Sequence, residues 1–493
     1  MASSSTNTLH DAQEKRICVI GAGPSGLGAI KIVKDAPQFK AGKWTVTAFE
    51  ARETLGGVWN PAPADPTVAE PPLTALYDSL TTNTPHPLMS YTSYPFPPET
   101  PLYPPAPTVL AYLHLYAEKF DLLPHIRFGT SVASLHWNTA AHKWDVTVKG
   151  PGEEHLQFDL VLVANGHYRV PRIPDTPGLE AWTAAGKVTH SVWYRRPEDY
   201  TGKLLVAGGG YSGMDVASET RPFAREVIHS ITRATPQDED GGKFKRRGRV
   251  TEYRDAAAGE VVFEDGTTET GIDHVVLATG YQFAFPFLTT PEVLPALPPR
   301  MPPIPEALYN STYHIFPLAK HLFPLVTSYP PSSLAFLGLP LRVAPLPLTE
   351  IQTQVALKLL ADPTALDLEH EAAAVRARYN AFRASLQARA QVFAADETAL
   401  EVAIADAWFR FGFTEQFDYR DELYEFVGTA YRVPAWEREL FEQKDLLRER
   451  CRELQRKGEE GKWLKGVGSG ADPVQEWADF MWRVLEGKAP LEE

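Results

Sequence analysis

Short apolar runs enter a glycine-rich turn at two places along the chain. Residues 17–20 (ICVI) precede residues 21–26 (GAGPSG), and residues 203–207 (KLLVA) precede residues 208–213 (GGGYSG). After each turn comes a segment able to form a helix, and then an apolar segment with the alternation of a strand. The order strand, turn, helix, strand predicts two βαβ units and therefore an α/β fold class.

The segment between residues 61 and 107 interrupts this pattern because it is rich in proline. Nine prolines lie between positions 85 and 107, and each one removes an amide donor and restricts φ, which excludes a regular helix. Aromatic residues such as Tyr91, Tyr94 and Phe96 accompany the prolines. The segment is therefore predicted to be a long, ordered loop that packs against the protein.

Periodicity along the rest of the chain predicts further elements. Helices are predicted over 108–120, 349–361 and 436–457, strands over 126–137, 144–148, 160–164, 227–231 and 275–277, and a hairpin tip over 238–249. The last of the helices, 436–457, is amphipathic.

Length and composition limit the classes of protein that fit this pattern. The 493 residues suit two or three domains, and a net charge of −14 disfavours binding to nucleic acid or an anionic membrane. The only two cysteines, Cys18 and Cys451, exclude a disulfide framework and paired CxxC redox or zinc sites. Residues 1–16 lack the apolar region of a secretory signal, and no apolar run is long enough to span a bilayer. The chain is thus predicted to be cytoplasmic, with no membrane anchor and no metal site.

The first turn has the spacing of a dinucleotide-binding fingerprint. Gly21 would form the tight turn, Gly23 would let the backbone approach a pyrophosphate, and Gly26 would let the helix pack on the strand. The next strand ends at Glu50, where a carboxylate binds a ribose diol and repels a 2′-phosphate. This half of the chain is predicted to bind FAD or NAD; a purely structural turn is the alternative.

The second turn has the same glycine spacing, but the strand that follows it ends in a different residue type. Gly208, Gly210 and Gly213 are followed by a strand that ends at Arg233 and carries no acid there. An arginine at this position accommodates a 2′-phosphate, which favours NADPH over NADH, and an ordinary surface arginine is the alternative. Two unlike dinucleotides in one chain are the plan of a pyridine-nucleotide-dependent flavoprotein. Disulfide reductases of this plan need a CxxC beside the flavin, which this sequence lacks.

Several short motifs occur in the same order as in one known family. They are 55–59 (LGGVW), 82–89 (TNTPHPLM), 165–167 (NGH), the pattern GxxxHxxxY at 186–194, and 278–281 (ATGY) followed by 285–288 (FPFL). Together with the glycine turns, this set resembles the flavin-containing monooxygenase family, specifically its soluble fungal members. One departure is Ala184, where the family has an aromatic residue. Tyr194-Arg195 stands where Baeyer–Villiger relatives have Trp-Pro, which disfavours those relatives.

The resemblance implies a fold and a chemistry. The implied fold has two Rossmann-like dinucleotide-binding domains, with an NADPH domain (186–285) inserted into a discontinuous FAD domain (12–185 and 286–493) that includes a helical C-terminal region. NADPH would reduce the FAD, and O2 would then form a C4a-hydroperoxyflavin that gives one oxygen atom to a sulfur or nitrogen nucleophile.

The resemblance also implies which residues serve these cofactors. Asn83 would act beside the flavin as an amide donor, and a turn residue before Pro85 is the alternative. His190 would brace the join between the two domains, and a role as an acid or base is the alternative. The remaining implied contacts are Gly56, Gly57, Trp59, Val132 and Gln352 for FAD, the last on a helix whose N-terminus points at the flavin, and Ser212 with Arg233 for NADPH.

Three functions remain compatible with the sequence. The first is S- or N-oxygenation of a small molecule. The second is a Baeyer–Villiger or decarboxylating oxygenation, and the third is a non-catalytic NADPH-binding flavoprotein. The expected partners are a small-molecule substrate and O2, without nucleic acid, and a homodimer is left open.

Overall fold

The computed structural model describes residues 14–68, 70–389, 396–412 and 414–488. The chain divides into two compact units: the first comprises residues up to 57, residues 81–166 and residues from 283 onward, and the second comprises 58–80 and 167–282. Most of the polar N-terminal segment 1–16, and the outer limits of the predicted FAD domain at 12 and 493, lie outside the described residues. The inner limits at 186 and 285 stay predictions.

Strands and helices are numbered in chain order. The strands are β1 (Lys15–Ile20), β2 (Trp44–Phe49), β3 (Ile126–Arg127), β4 (Ser131–Asn138), β5 (Lys143–Lys149), β6 (Glu153–Phe158), β7 (Leu160–Val163), β8 (Val188–His190), β9 (Lys203–Ala207), β10 (Glu226–Ser230), β11 (Gln237–Glu239), β12 (Phe244–Arg247), β13 (Val250–Tyr253), β14 (Val261–Phe263), β15 (Thr268–Glu269), β16 (His274–Leu277), β17 (Tyr309–Asn310), β18 (Ile315–Phe316), β19 (Leu318–Ala319), β20 (Phe323–Pro324) and β21 (Leu334–Phe336). The helices are α1 (Pro24–Asp35), α2 (Pro37–Lys40), α3 (Ala106–Lys119), α4 (Leu179–Ala184), α5 (Tyr211–Thr220), α6 (Pro345–Ala361), α7 (Leu368–Arg389), α8 (Glu397–Ala407), α9 (Glu415–Val427), α10 (Ala435–Glu442), α11 (Lys444–Lys457), α12 (Glu460–Leu464) and α13 (Pro473–Glu486). Within the described ranges, none of these helices is both long and apolar enough to cross a membrane.

The first unit is built on a parallel sheet with the strand order β21-β7-β1-β2-β3. The four residues of β7 (LVLV) are all buried, as expected for a strand whose two faces are both covered. Strand β1 pairs in parallel with β2, and α1 connects them through the first glycine turn. The first predicted βαβ unit is therefore confirmed, and with it the α/β fold class.

A large apolar core completes the first unit. It joins the antiparallel sheet β4-β5-β6 to the segments around β18–β21 and to α7 and α8. Trp144, Phe158, Phe336 and Trp408 are all buried in this core, each at most 1% exposed. Segments far apart in the sequence therefore fold around one core, which explains why this unit is discontinuous.

The second unit has its own mostly parallel sheet, in the order β11-β12-β10-β9-β16-β8. Strand β9 enters the second glycine turn, α5 follows, and β10 returns parallel to β9, which confirms the second βαβ unit. Strands β11 and β12 form an antiparallel hairpin whose tip is residues 240–243, shorter than the tip predicted over 238–249 because the chain on both sides pairs as strand. Strand β12 also pairs in parallel with β10, so the chain beyond each of these two strands emerges at the same edge.

Two predicted helices differ from the observed ones. Helix α6 begins at Pro345 and not at 349, because prolines are tolerated in a first helical turn where their missing amide has no intrahelical partner. The helix predicted over 436–457 is wrong as a single element: α10 and α11 are separated at Gln443 (φ −92°, ψ 3°). The Lys444 carbonyl accepts a hydrogen bond from the Tyr103 hydroxyl at this break (2.6 Å), a tertiary contact that periodicity does not report.

Buried histidines make the stability of this fold depend on pH. The ring of His321 lies within 6.3 Å of Trp408, Phe409, Phe411 and Tyr419, measured between ring centroids. Burial lowers the pKa of His321 from its ordinary 6.5 to about 3, with Arg378 as a second cause. The unfolded chain therefore takes up a proton that the folded protein refuses between those two pH values. Stability should fall as the pH drops below about 6.5 and be unaffected by this group above it.

We expect His321→Asn to make the free energy of unfolding less dependent on pH. Asparagine tolerates the left-handed backbone at this position (φ 52°) but does not titrate. Below pH 6.5 the variant should lose about 1.4 kcal/mol less per pH unit than the parent, measured by denaturant unfolding. His142→Asn is the matched control, since His142 is exposed and has the same φ of 52°. Equal pH slopes for His321→Asn and the parent would contradict the prediction.

Candidate functional site

The first glycine turn leaves no room for a side chain at Gly21 or Gly26. Gly21 adopts φ +100°, and a Cβ atom on it would lie 2.7 Å from the Ala164 carbonyl oxygen. A Cβ atom on Gly26 would lie 1.9 Å from the Gly21 carbonyl oxygen. The roles predicted for these glycines, a tight turn and close packing of α1 on β1, therefore have a steric basis.

A second glycine pair brings two predicted FAD segments together. Gly57 adopts φ +54°, and a Cβ atom on it would lie 2.8 Å from the Gly23 Cα atom. The Gly56 amide donates a hydrogen bond to the Ala22 carbonyl (3.1 Å). Helix α1 begins at this place without a side-chain cap and without an acidic residue in its first turn. Its first amides are therefore available to an anion, which fits the pyrophosphate of FAD.

Glu50 is held rigidly at the end of β2. Its side chain is 7% exposed, and its two carboxylate oxygens accept hydrogen bonds from the Ala22 amide (2.8 Å) and the Arg52 amide (3.0 Å). Each oxygen keeps a second lone pair for a ribose hydroxyl. The Glu50 carbonyl accepts from the Thr130 amide (2.9 Å), and this contact brings the chain that leads to Val132, on β4, beside Glu50.

Two further predicted FAD contacts, Gln352 and Trp59, stay predictions. Gln352 is fully buried on α6: its Oε1 accepts from the Gly338 amide (2.9 Å) and its Nε2 donates to the Tyr419 hydroxyl (3.2 Å). The Gln352 side chain therefore stabilises the turn that follows β21. Trp59 is half-buried in a short 3-10 turn, Gly57–Trp59, at the point where the chain passes into the second unit.

Asn83 is exposed on the proline-rich segment. Its Oδ1 accepts a hydrogen bond from the Thr84 hydroxyl (3.4 Å). Farther along, the Tyr91 hydroxyl donates to the Pro24 carbonyl in the first turn of α1 (2.5 Å), and the Thr92 amide donates to the Glu350 carboxylate on α6 (2.8 Å). The segment is thus fastened to the first glycine turn, and burial raises the pKa of the Glu350 carboxyl.

The second glycine turn repeats the steric pattern of the first. Gly208 adopts φ +138°, and a Cβ atom on it would lie 2.2 Å from the Ala278 carbonyl oxygen. A Cβ atom on Gly213 would lie 2.0 Å from the Gly208 carbonyl oxygen, whereas one on Gly210 would meet open space. Ser212 is half-buried in the first turn of α5, which also has no side-chain cap. These features fit a second dinucleotide.

Arg233 follows β10 at the edge where the parallel strands end. Its backbone is left-handed (φ +62°), and its amide donates to the Glu264 carboxylate (2.5 Å). The Arg249 amide donates to the same carboxylate oxygen (3.0 Å). Both arginine side chains are exposed, and neither makes an ion pair within the part of the chain that the structure describes.

Arg249 and Glu264 were not predicted as site residues. Arg249 comes just after β12, and only the parallel pairing of β12 with β10 brings it beside Arg233. The basic residues of β12 itself are engaged: Lys245 pairs with Glu226 (2.8 Å) and Arg247 with Glu269 (3.0 Å). The sequence did show that Arg249 follows the basic segment 243–247. Its place beside Arg233 could be inferred only once the pairing of β12 with β10 was known.

His190, in the GxxxHxxxY motif, has a structural position. Its Nδ1 accepts from the Val192 amide (3.1 Å), so its Nε2 carries the proton that is donated to the Gly280 carbonyl (3.0 Å). Burial lowers the pKa of His190 to about 4. The neutral imidazole links the end of β8 to the chain after β16 and so stabilises the second unit. It takes up no second proton at neutral pH.

Other reactive groups do not compete with a flavin for the chemistry. Both thiols are free and buried; burial raises the pKa of the Cys18 thiol far above its ordinary value and that of the Cys451 thiol to about 12. Thiols with such pKa values stay protonated and are poor nucleophiles. Among the described residues, no group of three or more His, Cys, Asp or Glu side chains is placed to hold a metal ion.

The comparisons with known proteins agree with this geometry. A model of flavin-binding monooxygenase-like proteins matches residues 14–237 and 235–366. The flavin-containing monooxygenase FMO GS-OX-like 1 of Arabidopsis thaliana is 30% identical over 375 residues, covering 73% of this chain and 74% of the relative. The thiol-specific monooxygenase of Saccharomyces cerevisiae is 29% identical over 363 residues, covering 71% of this chain and 78% of the relative.

A solved structure extends the likeness to nearly the whole chain. The S-allyl-L-cysteine S-oxygenase from Allium sativum superposes with a TM-score of 0.72 at 25% identity, covering 96% of this chain and 99% of the other. The two unlike nucleotide turns, the family model and these relatives lead to one conclusion. The chain belongs to the flavin-containing monooxygenase family and is an NADPH-dependent flavin monooxygenase that uses FAD.

Proposed function

We propose that this enzyme transfers one oxygen atom of O2 to a sulfur or nitrogen nucleophile of a small molecule. The observation that carries the proposal is the pair of unlike βαβ units: the buried Glu50 follows the second strand of one, and Arg233 follows the second strand of the other. Asn83 lies on a segment that is hydrogen-bonded to the first turn of α1. The names of two relatives, an S-oxygenase and a thiol-specific monooxygenase, support sulfur as the acceptor.

The residues of the first unit bind FAD in this proposal. Gly21, Gly23 and Gly26 admit the pyrophosphate to the N-terminus of α1, and Glu50 accepts the ribose hydroxyls. The remaining proposed contacts with FAD are Gly56, Gly57, Val132 and Gln352 of the same unit, and Trp59, the second residue after the first unit breaks off at Gly57. Held there, FAD would supply the redox chemistry that no side chain provides, namely acceptance of hydride from NADPH and activation of O2.

The chain itself supplies positioning and hydrogen bonds, not a nucleophile. Asn83 donates its amide N–H groups to bound oxygen or to the cofactors, and as an amide it does so without taking or releasing a proton. Asn83 is exposed, so both N–H groups can reach a bound molecule. His190 and the two buried thiols take no part in proton transfer or covalent chemistry.

The second unit binds NADPH in this proposal. Gly208, Gly210 and Gly213 admit the pyrophosphate, Ser212 contacts it, and Arg233 binds the 2′-phosphate. Arg249 supports the same end of the nucleotide, because one Glu264 oxygen holds the amides of both arginines. A guanidinium is well suited to a phosphate since it offers several N–H donors in one plane.

The proposal is tested by following all products of one reaction. The purified, flavin-loaded enzyme is given NADPH, isotopically labelled O2 and, in turn, a thioether, a thiol, a tertiary amine and a cyclic ketone. We expect one labelled oxygen atom in the thioether or amine product, a disulfide with labelled water from the thiol, because a sulfenic acid condenses with a second thiol, and NADPH consumption matched to product. A labelled lactone from the ketone would favour the Baeyer–Villiger alternative, and flavin reduction that yields hydrogen peroxide with none of these products would contradict the proposal.

We expect Arg233→Ala to weaken NADPH binding far more than NADH binding. Loss of a charge-assisted contact with the 2′-phosphate costs about 1.5–3 kcal/mol, or about 10- to 100-fold in affinity. The measurement is the Kd of 2′,5′-ADP and of 5′-AMP, determined calorimetrically. Arg254→Ala is the control, because Arg254 lies in the same unit but pairs with Glu252 (2.9 Å). Equal losses for the two nucleotides would remove Arg233 from the 2′-phosphate site.

A further inference from the structure

The segment that bears Asn83 has little secondary structure to hold it. Residues 81–105, called here the Asn83 loop, carry eight prolines, none of which can donate a backbone hydrogen bond. Within the described residues it contains only isolated bridges, such as Thr81 with Pro105, and one short 3-10 turn, His86–Leu88. The position of Asn83 therefore depends on tertiary contacts. Tyr91 and Thr92 supply those of the middle of the loop, as described above.

We propose that the C-terminal helices α10–α13 position Asn83 for the oxygenation reaction, with Arg448 and Trp477 as the positioning residues. This inference rests on the proposed function, since it presumes that Asn83 acts beside the flavin. Both the helices and the loop belong to the first unit. The helices lie beyond residue 366, where the match to the family model ends.

The base of the Asn83 loop is held by α11. The Arg448 Nη2 atom donates to the Thr81 hydroxyl (3.3 Å), two residues before Asn83. The Tyr103 hydroxyl donates to the Lys444 carbonyl (2.6 Å). The Arg448 guanidinium also lies 5.9 Å from the centre of the Tyr103 ring. Helix α11 thus contacts the Asn83 loop both at its first residue, Thr81, and near its end, at Tyr103.

The segment just after Asn83 is packed by α13. His86 is 1% exposed, and its ring centre lies 4.3 Å from that of Trp477, which is 2% exposed, in an edge-on arrangement. On its other side the His86 ring lies 5.0 Å from Phe96. Burial lowers the pKa of His86 to about 3, so this packed ring is neutral. Trp477 therefore fixes the chain three residues after Asn83 through an apolar contact.

The far end of the loop is held by the residues between α12 and α13. The Glu99 amide donates to the Val467 carbonyl (3.1 Å), and the Gly466 amide donates back to the Glu99 carboxylate (3.0 Å). The left-handed backbone of Glu99 (φ +60°) is kept in place by this reciprocal pair. The C-terminal helices thus contact the loop on both sides of Asn83 and at a third point, whereas α1 and α6 hold only its middle.

Two substitutions loosen the loop without touching the cofactors. Arg448→Ala removes the bond to Thr81, and Trp477→Leu keeps an apolar side chain but removes the edge-on contact with His86. Arg452→Ala is the matched control, since Arg452 lies one turn farther along α11 and is exposed. All variants are studied as flavin-loaded enzymes, with flavin content and 2′,5′-ADP binding measured first.

The first measurement is amide hydrogen exchange, which needs no turnover. We expect exchange in residues 81–104 to accelerate about tenfold or more in Arg448→Ala and Trp477→Leu, while exchange in β1 and β9 is unchanged. Arg452→Ala should behave as the parent does. Unchanged exchange in residues 81–104, or acceleration only in parallel with the whole protein, would overturn the inference.

The second measurement is the ratio of oxygenated product to NADPH consumed, which a purely structural role would not move. We expect this ratio to fall about threefold or more, with hydrogen peroxide making up the difference, because a displaced amide no longer meets its target. The rate of flavin reduction by NADPH should stay the same. A loosened loop with an unchanged ratio overturns the inference and leaves the proposed function intact. A parent enzyme that forms no product refutes the proposed function, and the exchange result then stands alone.

Discussion

Gly26→Ala should produce a protein without bound flavin and without monooxygenase activity. A methyl carbon on Gly26 would lie 1.9 Å from the Gly21 carbonyl oxygen, a backbone atom that cannot rotate away. Either α1 must move from β1 or the turn must open, and both displace the amides that would bind the pyrophosphate. Overpacking of this kind costs about 3 kcal/mol or more, which corresponds to at least about a hundredfold in FAD affinity. The measurement is the ratio of flavin absorbance to protein after purification and dialysis.

The control for this substitution is Gly461→Ala. A Cβ atom on Gly461, in α12, meets no atom within 4 Å, so flavin content should equal that of the parent. Folding of the variant is checked through 2′,5′-ADP binding, because the second unit has its own sheet and its own glycine turn. Full flavin content in a folded Gly26→Ala protein would show that the first turn does not bind FAD.

Asn83→Ala should separate NADPH oxidation from oxygenation. The substitution removes the amide donor but leaves both glycine turns, Glu50 and Arg233 unchanged. Removal of one preorganised hydrogen-bond donor from a reacting oxygen costs about 10²- to 10³-fold in rate in enzymes that depend on such a donor. We expect the rate of product formation to fall by about a hundredfold, with hydrogen peroxide released in place of product. Product and peroxide are measured in the same sample.

Two further variants identify the chemical group that matters. Asn83→Asp has nearly the same shape but no N–H donor when ionised, so it should be as impaired as Asn83→Ala. Asn83→Gln keeps the donor on a longer side chain and should recover part of the activity. Parent-like ratios of product to NADPH in Asn83→Ala would assign Asn83 to the turn before Pro85, and the oxygen would then need another donor.

The local features of the nucleotide turns could be predicted because they depend on neighbouring residues. Gly21 and Gly208 both have positive φ, and Gly26 and Gly213 both lack room for a Cβ atom, as the spacing of the fingerprint requires. The strands on either side are also local, since an apolar run bounded by a turn identifies itself. The α/β class and the family follow from these features and from the order of the short motifs.

Longer-range features could not be predicted in the same way. The periodicity of residues 436–457 suggested one helix, but a bond from Tyr103, more than three hundred residues away, lies at the break between α10 and α11. The two partners of the Gln352 amide, Gly338 and the Tyr419 hydroxyl, were likewise not predicted from the sequence. Such partners are set by packing, which hydrophobic patterning does not specify.

By itself, the sequence of this protein determined two βαβ units. It also determined that an acid, Glu50, follows the second strand of the first unit and that an arginine, Arg233, follows the second strand of the other. Only the tertiary structure decided that Arg249 lies beside Arg233 and that the C-terminal helices hold the loop of Asn83. The physical reason is the range of the interactions. Turn geometry and periodicity are properties of a few consecutive residues, whereas strand pairing and helix docking depend on the surface buried between segments far apart in the chain.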